Sequence, residues 1–132
     1  MASVVRDVIV DTDPEQAWDA LADFGHVDTR LAAGFVTSCT VDEPGVRTLR
    51  FFTGALAREA LVGLDAAARR LAYTVVDGPL GATHHNAAAQ ILDHDGRTRF
   101  VWVTDVLPDD LGDTVGHLMD RGIEAIKETL EH

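Results

Sequence analysis

Residues 109–127 read DDLGDTVGHLMDRGIEAIK, and this stretch determines how the rest of the chain has to fold. Apolar residues and glycine recur along it every three or four positions, which is the period of an α-helix. Asp109 and Asp110 suit a helix N-terminus, where carboxylates cap free N–H groups and oppose the positive end of the helix dipole. The pattern predicts one long C-terminal helix with a single apolar stripe formed by Leu111, Val115, Leu118, Met119, Gly122, Ile123 and Ile126.

From Phe35 to Leu107 the sequence has a period of two, which is typical of β-strands. Turn signals such as EPG, DGPLG and DHDG separate the alternating segments, and such short connections imply antiparallel pairing. Six strands are predicted: FVTSCTVDE (35–43), VRTLRFFT (46–53), LAREALVGL (56–64), LAYTVVD (71–77), THHNAAAQIL (83–92) and TRFVWVTDVL (98–107).

The N-terminal segment adds a strand and two helices. SVVRDVIVD (3–11) predicts the strand, and DTDPEQAWDALADF (11–24) predicts a helix with Asp13 as N-cap, Pro14 in the first position and Gln16 completing a capping box. A second short helix is expected to end near residue 32. The order is β-α-α-β6-α, and one helical stripe has to cover a wide antiparallel sheet, so an α+β fold with a curled sheet is expected.

Bulk properties exclude several classes of protein. The 132 residues suit one domain, placed at 1–129 because the terminal LEH (130–132) resembles the start of an expression tag. The formal net charge of −11 repels phosphate and anionic lipid, so neither nucleic acid nor membrane insertion is expected. Cys39 is the only cysteine, which excludes a disulfide within the chain.

The sequence also predicts a location. MASVVRDVIV (1–10) lacks the features of a signal peptide and no apolar run reaches about 20 residues, so a cytoplasmic location is expected.

The histidines do not predict a metal site. His84 and His85 are adjacent on a strand and therefore face opposite sides of the sheet. His26, His94 and His117 fall in unrelated elements, and no spacing matches a zinc motif. We expect neither a metal nor a cofactor.

The face of the 83–92 strand that is predicted to be buried has little volume, because it carries His85, Ala87, Ala89 and Ile91. Beneath a helix with several glycines, such a wall is too small to reach interior packing density. Two interpretations follow: closer backbone approach in an alanine-rich core, or a ligand cavity of roughly a few hundred Å³, which is favoured. The further residues proposed to face inward are Thr37, Cys39, Glu59, Leu61, Gly63, Tyr73, Val75, Phe100, Trp102, Thr104, Met119, Gly122 and Ile123. On the 56–64 strand, the phase alone equally allows Arg58, Ala60 and Val62 to be the inward set.

His85 and Glu59 are the candidate catalytic residues. In a cavity, His85 would act as a hydrogen-bond partner or general acid/base, or it would be an interior histidine bonded to Tyr73 or Glu59. From the residues alone Arg58 could equally face inward, with Glu59 in a surface ion pair. If both face the cavity, they form a candidate pair for proton abstraction beside a carbonyl or for loss of water.

Four segments, taken in this order, carry a resemblance to a known family: DPEQAWDALADFGHVD (13–28), FVTSCTV (35–41), REALVGLDAAARRLAYTVVDGPL (58–80) and VWVTDVLPDD (101–110). They resemble the START-like helix-grip superfamily, also called SRPBCC, and within it the bacterial polyketide cyclase/dehydrase-like proteins. The resemblance implies a seven-stranded antiparallel sheet that grips the C-terminal helix around a large apolar cavity.

The plant abscisic-acid receptors are distant members of this superfamily. Their pocket positions fall here on Thr37, Glu59 and His85, which favours the inward phase for Glu59. The basic residue that meets a ligand carboxylate in those receptors is replaced by the neutral Thr37, and their gating loop is shortened to TGALA (53–57). The resemblance therefore does not support an acid-hormone receptor.

The expected function is binding of a small hydrophobic molecule, aromatic or polyketide-like, by a monomer or homodimer. The enzymatic version adds cyclisation or dehydration through His85 or Glu59, and the alternative version is a carrier or sensor without chemistry, as in lipid or polyketide transport. A weaker alternative is a protein-interaction module that assists chaperones.

Overall fold

In the computed structural model, residues 2–132 form an antiparallel sheet of seven strands that curves around a long C-terminal helix. Met1, the first residue of the predicted domain, lies outside the described residues. The strands are β1 (Ala2–Val10), β2 (Val36–Glu43), β3 (Val46–Phe51), β4 (Leu56–Asp65), β5 (Arg70–Asp77), β6 (His84–His94) and β7 (Arg97–Leu107). The helices are α1 (Pro14–Ala22) and α2 (Gly112–Leu130), with short 3₁₀ turns at Phe24–His26 and Asp109–Leu111 and a π-helical turn at Val27–Leu31.

The sheet has the order β1-β7-β6-β5-β4-β3-β2, so that each strand from β2 to β6 pairs with the next one along the chain. β1 forms one edge of the sheet and pairs with β7 in the register Ala2↔Val106 to Val10↔Thr98. The predicted strands, their antiparallel pairing and the α+β helix-grip architecture are confirmed.

Helix α2 covers the concave face of the sheet with the predicted apolar stripe. Val115, Met119, Ile123 and Ile126 are all buried. The prediction differs from the structure at the start of the helix, because Asp109 lies in a 3₁₀ turn and the α-helix begins at Gly112. Within residues 2–132, no helix is both long enough and apolar enough to cross a bilayer.

Helix α1 begins as the sequence predicts. The Asp13 carboxylate accepts a hydrogen bond from the Glu15 N–H at 2.8 Å, and Pro14 occupies the first helical position. The predicted capping box is absent from the described hydrogen bonds, because the Gln16 side chain accepts from the Thr12 hydroxyl at 3.4 Å instead. The second predicted helix is shorter and irregular, consisting of the 3₁₀ and π-helical turns before β2.

A β-bulge in β2 overturns one predicted orientation. The pairing with β3 shifts register between Val36 and Ser38, so Val36 is buried while Thr37 is exposed. The Thr37 hydroxyl donates to the backbone oxygen of Arg50 at 3.2 Å. Thr37 was predicted to face the interior, and this prediction is wrong because the bulge changes the phase of the strand.

Candidate functional site

A cavity of about 400 Å³ lies between the concave face of the sheet and α2. Its wall comes mainly from the inward positions of β3 to β7, with α2 as the roof. The residues predicted to line it that do so are Glu59, Tyr73, Val75, His85, Ala89, Phe100, Trp102, Thr104 and Met119. Additional lining residues that the sequence prediction omitted include Leu21, Phe35, Arg47, Leu49, Ala57 and Leu71.

The cavity exists because small residues occupy positions where a core would carry large ones. Ala57 on β4 and Ala89 on β6 are both buried and both line it, opposite Leu49 and Trp102 in the strand register. The shortage of volume seen in the sequence therefore corresponds to open space rather than to closer backbone approach.

Besides Thr37, five predicted lining residues lie outside the cavity wall: Cys39, Leu61, Ala87, Gly122 and Ile123. All five pack in the core or against it, where neighbouring side chains have filled the space. At Gly122, for example, an added Cβ would lie 2.8 Å from Trp102 Cζ3 and 3.2 Å from Phe35 Cε2. The Cys39 Sγ lies 3.9 Å from the Phe24 carbonyl oxygen, and burial raises the pKa of this thiol. These five predictions are corrected: the residues belong to packed core.

The β3–β4 turn, the β5–β6 loop and α2 also contribute to the cavity wall. Thr53 and Ala55 contribute from the turn, Leu118 contributes from the helix, and residues 78–82 contribute from the loop. At this turn the Arg121 guanidinium stacks 4.2 Å from the centre of the Phe52 ring.

His85 is the polar group that β6 supplies to the cavity. Its Nδ1 accepts a hydrogen bond from the Val75 N–H at 3.1 Å, so Nδ1 carries no proton and the neutral ring carries its proton on Nε2. Burial, aided by the charge of neighbouring His84, lowers the pKa of His85, which keeps the ring neutral at pH 7. His85 thus presents an N–H donor, and the prediction that it faces inward agrees with the structure.

Tyr73 lies next to His85, with ring centres 5.9 Å apart. Its hydroxyl oxygen accepts a hydrogen bond from Trp102 Nε1 at 3.1 Å. Burial and the nearby charge of Glu59 raise the pKa of Tyr73, so the hydroxyl keeps its proton. The described hydrogen bonds do not include the one between Tyr73 and His85 that the sequence offered as an alternative.

Arg47 is a charged residue of the cavity wall that was not predicted from the sequence. Its guanidinium contacts Glu59 Oε1 through Nη2 at 2.8 Å and Nε at 2.9 Å, and its Nη1 donates to the Phe24 carbonyl oxygen at 3.1 Å. The guanidinium also lies over the Phe24 ring, at 4.1 Å, and near the Tyr73 ring, at 5.4 Å. The alternation of VRTLRF contained the signal, because Arg47 shares its face with Leu49 and Phe51.

The inward phase of Glu59 is settled by burial. Glu59 is 5% exposed and lines the cavity, whereas Arg58 on the opposite face pairs with Glu43 at 3.3 Å near solvent. Among residues 2–132, Glu59 and His85 share no hydrogen bond, and the Glu59 carboxylate is instead held by Arg47. The predicted acid/base pair is therefore not assembled in this structure. Nor do the described residues contain a cluster of acidic, histidine or cysteine side chains that could hold a metal ion.

Comparison with known proteins identifies the family of the chain and supports the fold described above. Residues 1–131 match the model of the family described as polyketide cyclase/dehydrase and lipid transport. The chain belongs to this family, and the resemblance inferred from the sequence is confirmed. Among curated proteins, no match is found.

Solved structures share the fold over nearly the whole chain. A protein from Thermobifida fusca is 26% identical, with a TM-score of 0.79 and coverage of 100% of this chain and 97% of that one. XoxI from Bacillus cereus is 19% identical, with a TM-score of 0.86 and coverage of 98% and 96%. A START superfamily protein from Mycobacterium smegmatis is 17% identical, with a TM-score of 0.75 and coverage of 99% and 95%.

Proposed function

We propose that residues 1–129 act as one domain that binds a small hydrophobic molecule, aromatic or polyketide-like, in the cavity between the sheet and α2. The observation that carries this proposal is the cavity of about 400 Å³, which falls within the usual size range of small-molecule sites. Its wall combines a predominance of apolar side chains with a few polar groups, which is the composition that fixes the orientation of such ligands. Membership of a family associated with polyketides and lipid transport supports the same class of ligand.

The charges on the wall favour a neutral ligand. Arg47 and Glu59 are the charged residues among the wall positions from β3 and β4, and they cancel each other through a direct ion pair. A ligand carboxylate would have to compete with Glu59 for the guanidinium, at the cost of leaving a buried carboxylate without its partner.

Binding without chemistry is the version that the geometry favours. A general base at His85 would have to use Nδ1, which already accepts from the Val75 N–H, because Nε2 carries the proton. Glu59 is held by Arg47. A carrier or sensor needs neither residue as a base. Cyclisation or dehydration of a reactive polyketide chain is the second candidate, because the cavity could fold such a chain and His85 could donate a hydrogen bond to a carbonyl.

The test is binding with a blocked cavity. Purified wild-type protein would be analysed by native mass spectrometry for a retained ligand and titrated with bicyclic and tricyclic aromatic compounds followed by NMR. Ala89→Leu places a larger side chain into the cavity, and Ala60→Leu makes the same change on the outer face of β4. We expect binding by the wild type and by Ala60→Leu, with loss in Ala89→Leu. Absence of binding throughout, or equal binding by both variants, would refute the proposed site.

A further inference from the structure

Among residues 2–132, the cavity donors for which no acceptor is described include His85 Nε2–H and the Tyr73 hydroxyl. Among residues 2–132, no hydrogen bond is formed by His85 Nε2, although His85 Nδ1 is paired. In the same part of the chain, every buried side-chain nitrogen or oxygen has a partner, so Nε2 must reach open space, and His85 lines the cavity. An N–H donor that faces the cavity can donate to an acceptor on a bound ligand.

The second donor is the hydroxyl of Tyr73. Its oxygen is occupied as an acceptor by Trp102 Nε1, and the described residues provide no acceptor for its proton. The hydrogen bond from Trp102 also restricts the rotation of the Tyr73 O–H, because it occupies one lone pair of the hydroxyl oxygen. Because the two rings are in contact at 5.9 Å, both donors belong to the same end of the cavity.

The Glu59 carboxylate makes this end of the cavity unfavourable for a ligand that carries a carboxylate. Both hydrogen bonds from Arg47 go to Oε1, and among the described residues Oε2 accepts none. By the same reasoning as for His85 Nε2, this oxygen is not sealed off, although the side chain is only 7% exposed. A second carboxylate here would face like charge at short range.

We propose that the ligand is a neutral carbonyl compound, a ketone or quinone, whose oxygen accepts hydrogen bonds from His85 Nε2–H and the Tyr73 hydroxyl. The apolar rings of the ligand lie toward Leu71, Phe100 and Met119, on the other walls of the cavity. A ligand hydroxyl placed beside the carbonyl would donate to Glu59 Oε2. This inference rests on the proposed function and names the ligand class for that same cavity.

The experiment compares three probes of nearly equal size: 1-tetralone, tetralin, which lacks oxygen, and 1-naphthoate, which carries a charge. Affinities are measured by calorimetry for wild type, Tyr73→Phe and the control His84→Phe, whose ring lies on the outer face against Asn86. Wild type should bind tetralone roughly three- to tenfold more tightly than tetralin, with naphthoate weakest, because one well-made hydrogen bond contributes about that factor. Tyr73→Phe should lower the affinity for tetralone by a similar factor and leave tetralin unchanged.

A measurement on the wild type keeps the test independent of whether the variant folds. With ¹⁵N-histidine labelling, His85 should be in its Nε2–H form, and tetralone but not tetralin should move that N–H signal. If tetralone and tetralin bind equally and the signal does not move, the carbonyl inference is wrong while the cavity remains a binding site. If none of the three probes binds, the proposed function fails and the inference fails with it.

Discussion

The guanidinium of Arg47 and the carboxylate of Glu59 form a buried ion pair, with Nη2 2.8 Å from Oε1 and both side chains 7% exposed. The pair joins neighbouring strands, since Arg47 lies opposite Glu59 in the register of β3 and β4. Glu59 supplies the counter-charge of Arg47, which also donates to the Phe24 carbonyl oxygen and lies over the Phe24 ring, so the stability of each buried charge depends on the other.

Removing one member of this pair is expected to destabilise the protein strongly. Arg47→Met leaves the Glu59 carboxylate buried without its counter-charge, and we expect a loss of about 3–5 kcal/mol in the free energy of unfolding, measured by urea denaturation. Arg47→Met with Glu59→Leu should recover most of that loss, because an apolar pair needs no compensation. Arg58→Met is the control: its partner Glu43 is exposed, so less than about 1 kcal/mol should be lost. A double variant as unstable as the single one would contradict this account.

The pH dependence of stability should contain a contribution from His85. Burial lowers the pKa of His85 from its ordinary value of 6.5, so the unfolded chain binds this proton more readily than the native state. The free energy of unfolding should therefore fall as the pH drops below about 6.5 and continue falling down to the native pKa.

His85→Gln keeps an acceptor for the Val75 N–H and cannot titrate, so its stability relative to the wild type should be greatest at low pH. Urea denaturation between pH 8 and 5 should show wild type losing stability relative to His85→Gln, with His117→Gln following the wild type. Parallel curves for wild type and His85→Gln would exclude this contribution.

Two glycines of α2 should respond in opposite directions to the same change. At Gly122 an added Cβ meets the Trp102 ring at 2.8 Å, and a packed indole cannot move aside. At Gly116 the nearest atom is Nη2 of Arg6, at 2.9 Å, which is the end of a flexible side chain. Alanine is favoured over glycine in a helix by about 1 kcal/mol, so Gly116→Ala should be neutral or stabilising. Gly122→Ala should lower the midpoint of thermal unfolding, because overpacking costs about 1–3 kcal/mol. Equal shifts in both variants would show that Trp102 yields to the added methyl group.

The blocked variant of the cavity should be no less stable than the wild type. Ala89→Leu adds methylene groups in a space that is already open, so the new side chain gains contacts without displacing others. Calorimetry should find a thermal midpoint equal to or above that of the wild type. A fall of more than about 4 °C, which corresponds to roughly 1 kcal/mol in a domain of this size, would mean that the wall beside Ala89 is solid.

The sheet could be predicted from the sequence because alternation, turns and the change of period at Pro108 all agree. Ala87, Ala89, Phe100 and Trp102 all lie on the predicted face, since no described register shift interrupts the pairing of β6 with β7. The missed phase at Thr37 has a local cause: the bulge in β2 leaves no trace in the pattern of polar and apolar residues.

The candidate site was harder to predict than the fold. Glu59 was recognised, but its partner Arg47 was not, because an arginine on an apolar strand face usually indicates a surface position. Which inward residues line open space and which pack solidly depends on contacts between distant segments, such as Gly122 with Phe35 and Trp102. Strand phase cannot distinguish these two outcomes.

The pairing of β1 with β7 has a consequence for how the chain is synthesised. Ala2 and its partner Val106 are 104 positions apart in the sequence, so β1 cannot dock on β7 until the residues between them have been made. During that interval β1 is a strand without a neighbour, and once β7 is made it too has an open edge until the two meet. While β1 is unpaired, its polar side chains disfavour pairing with the strand of another nascent chain; these are Ser3, Arg6 and Asp7.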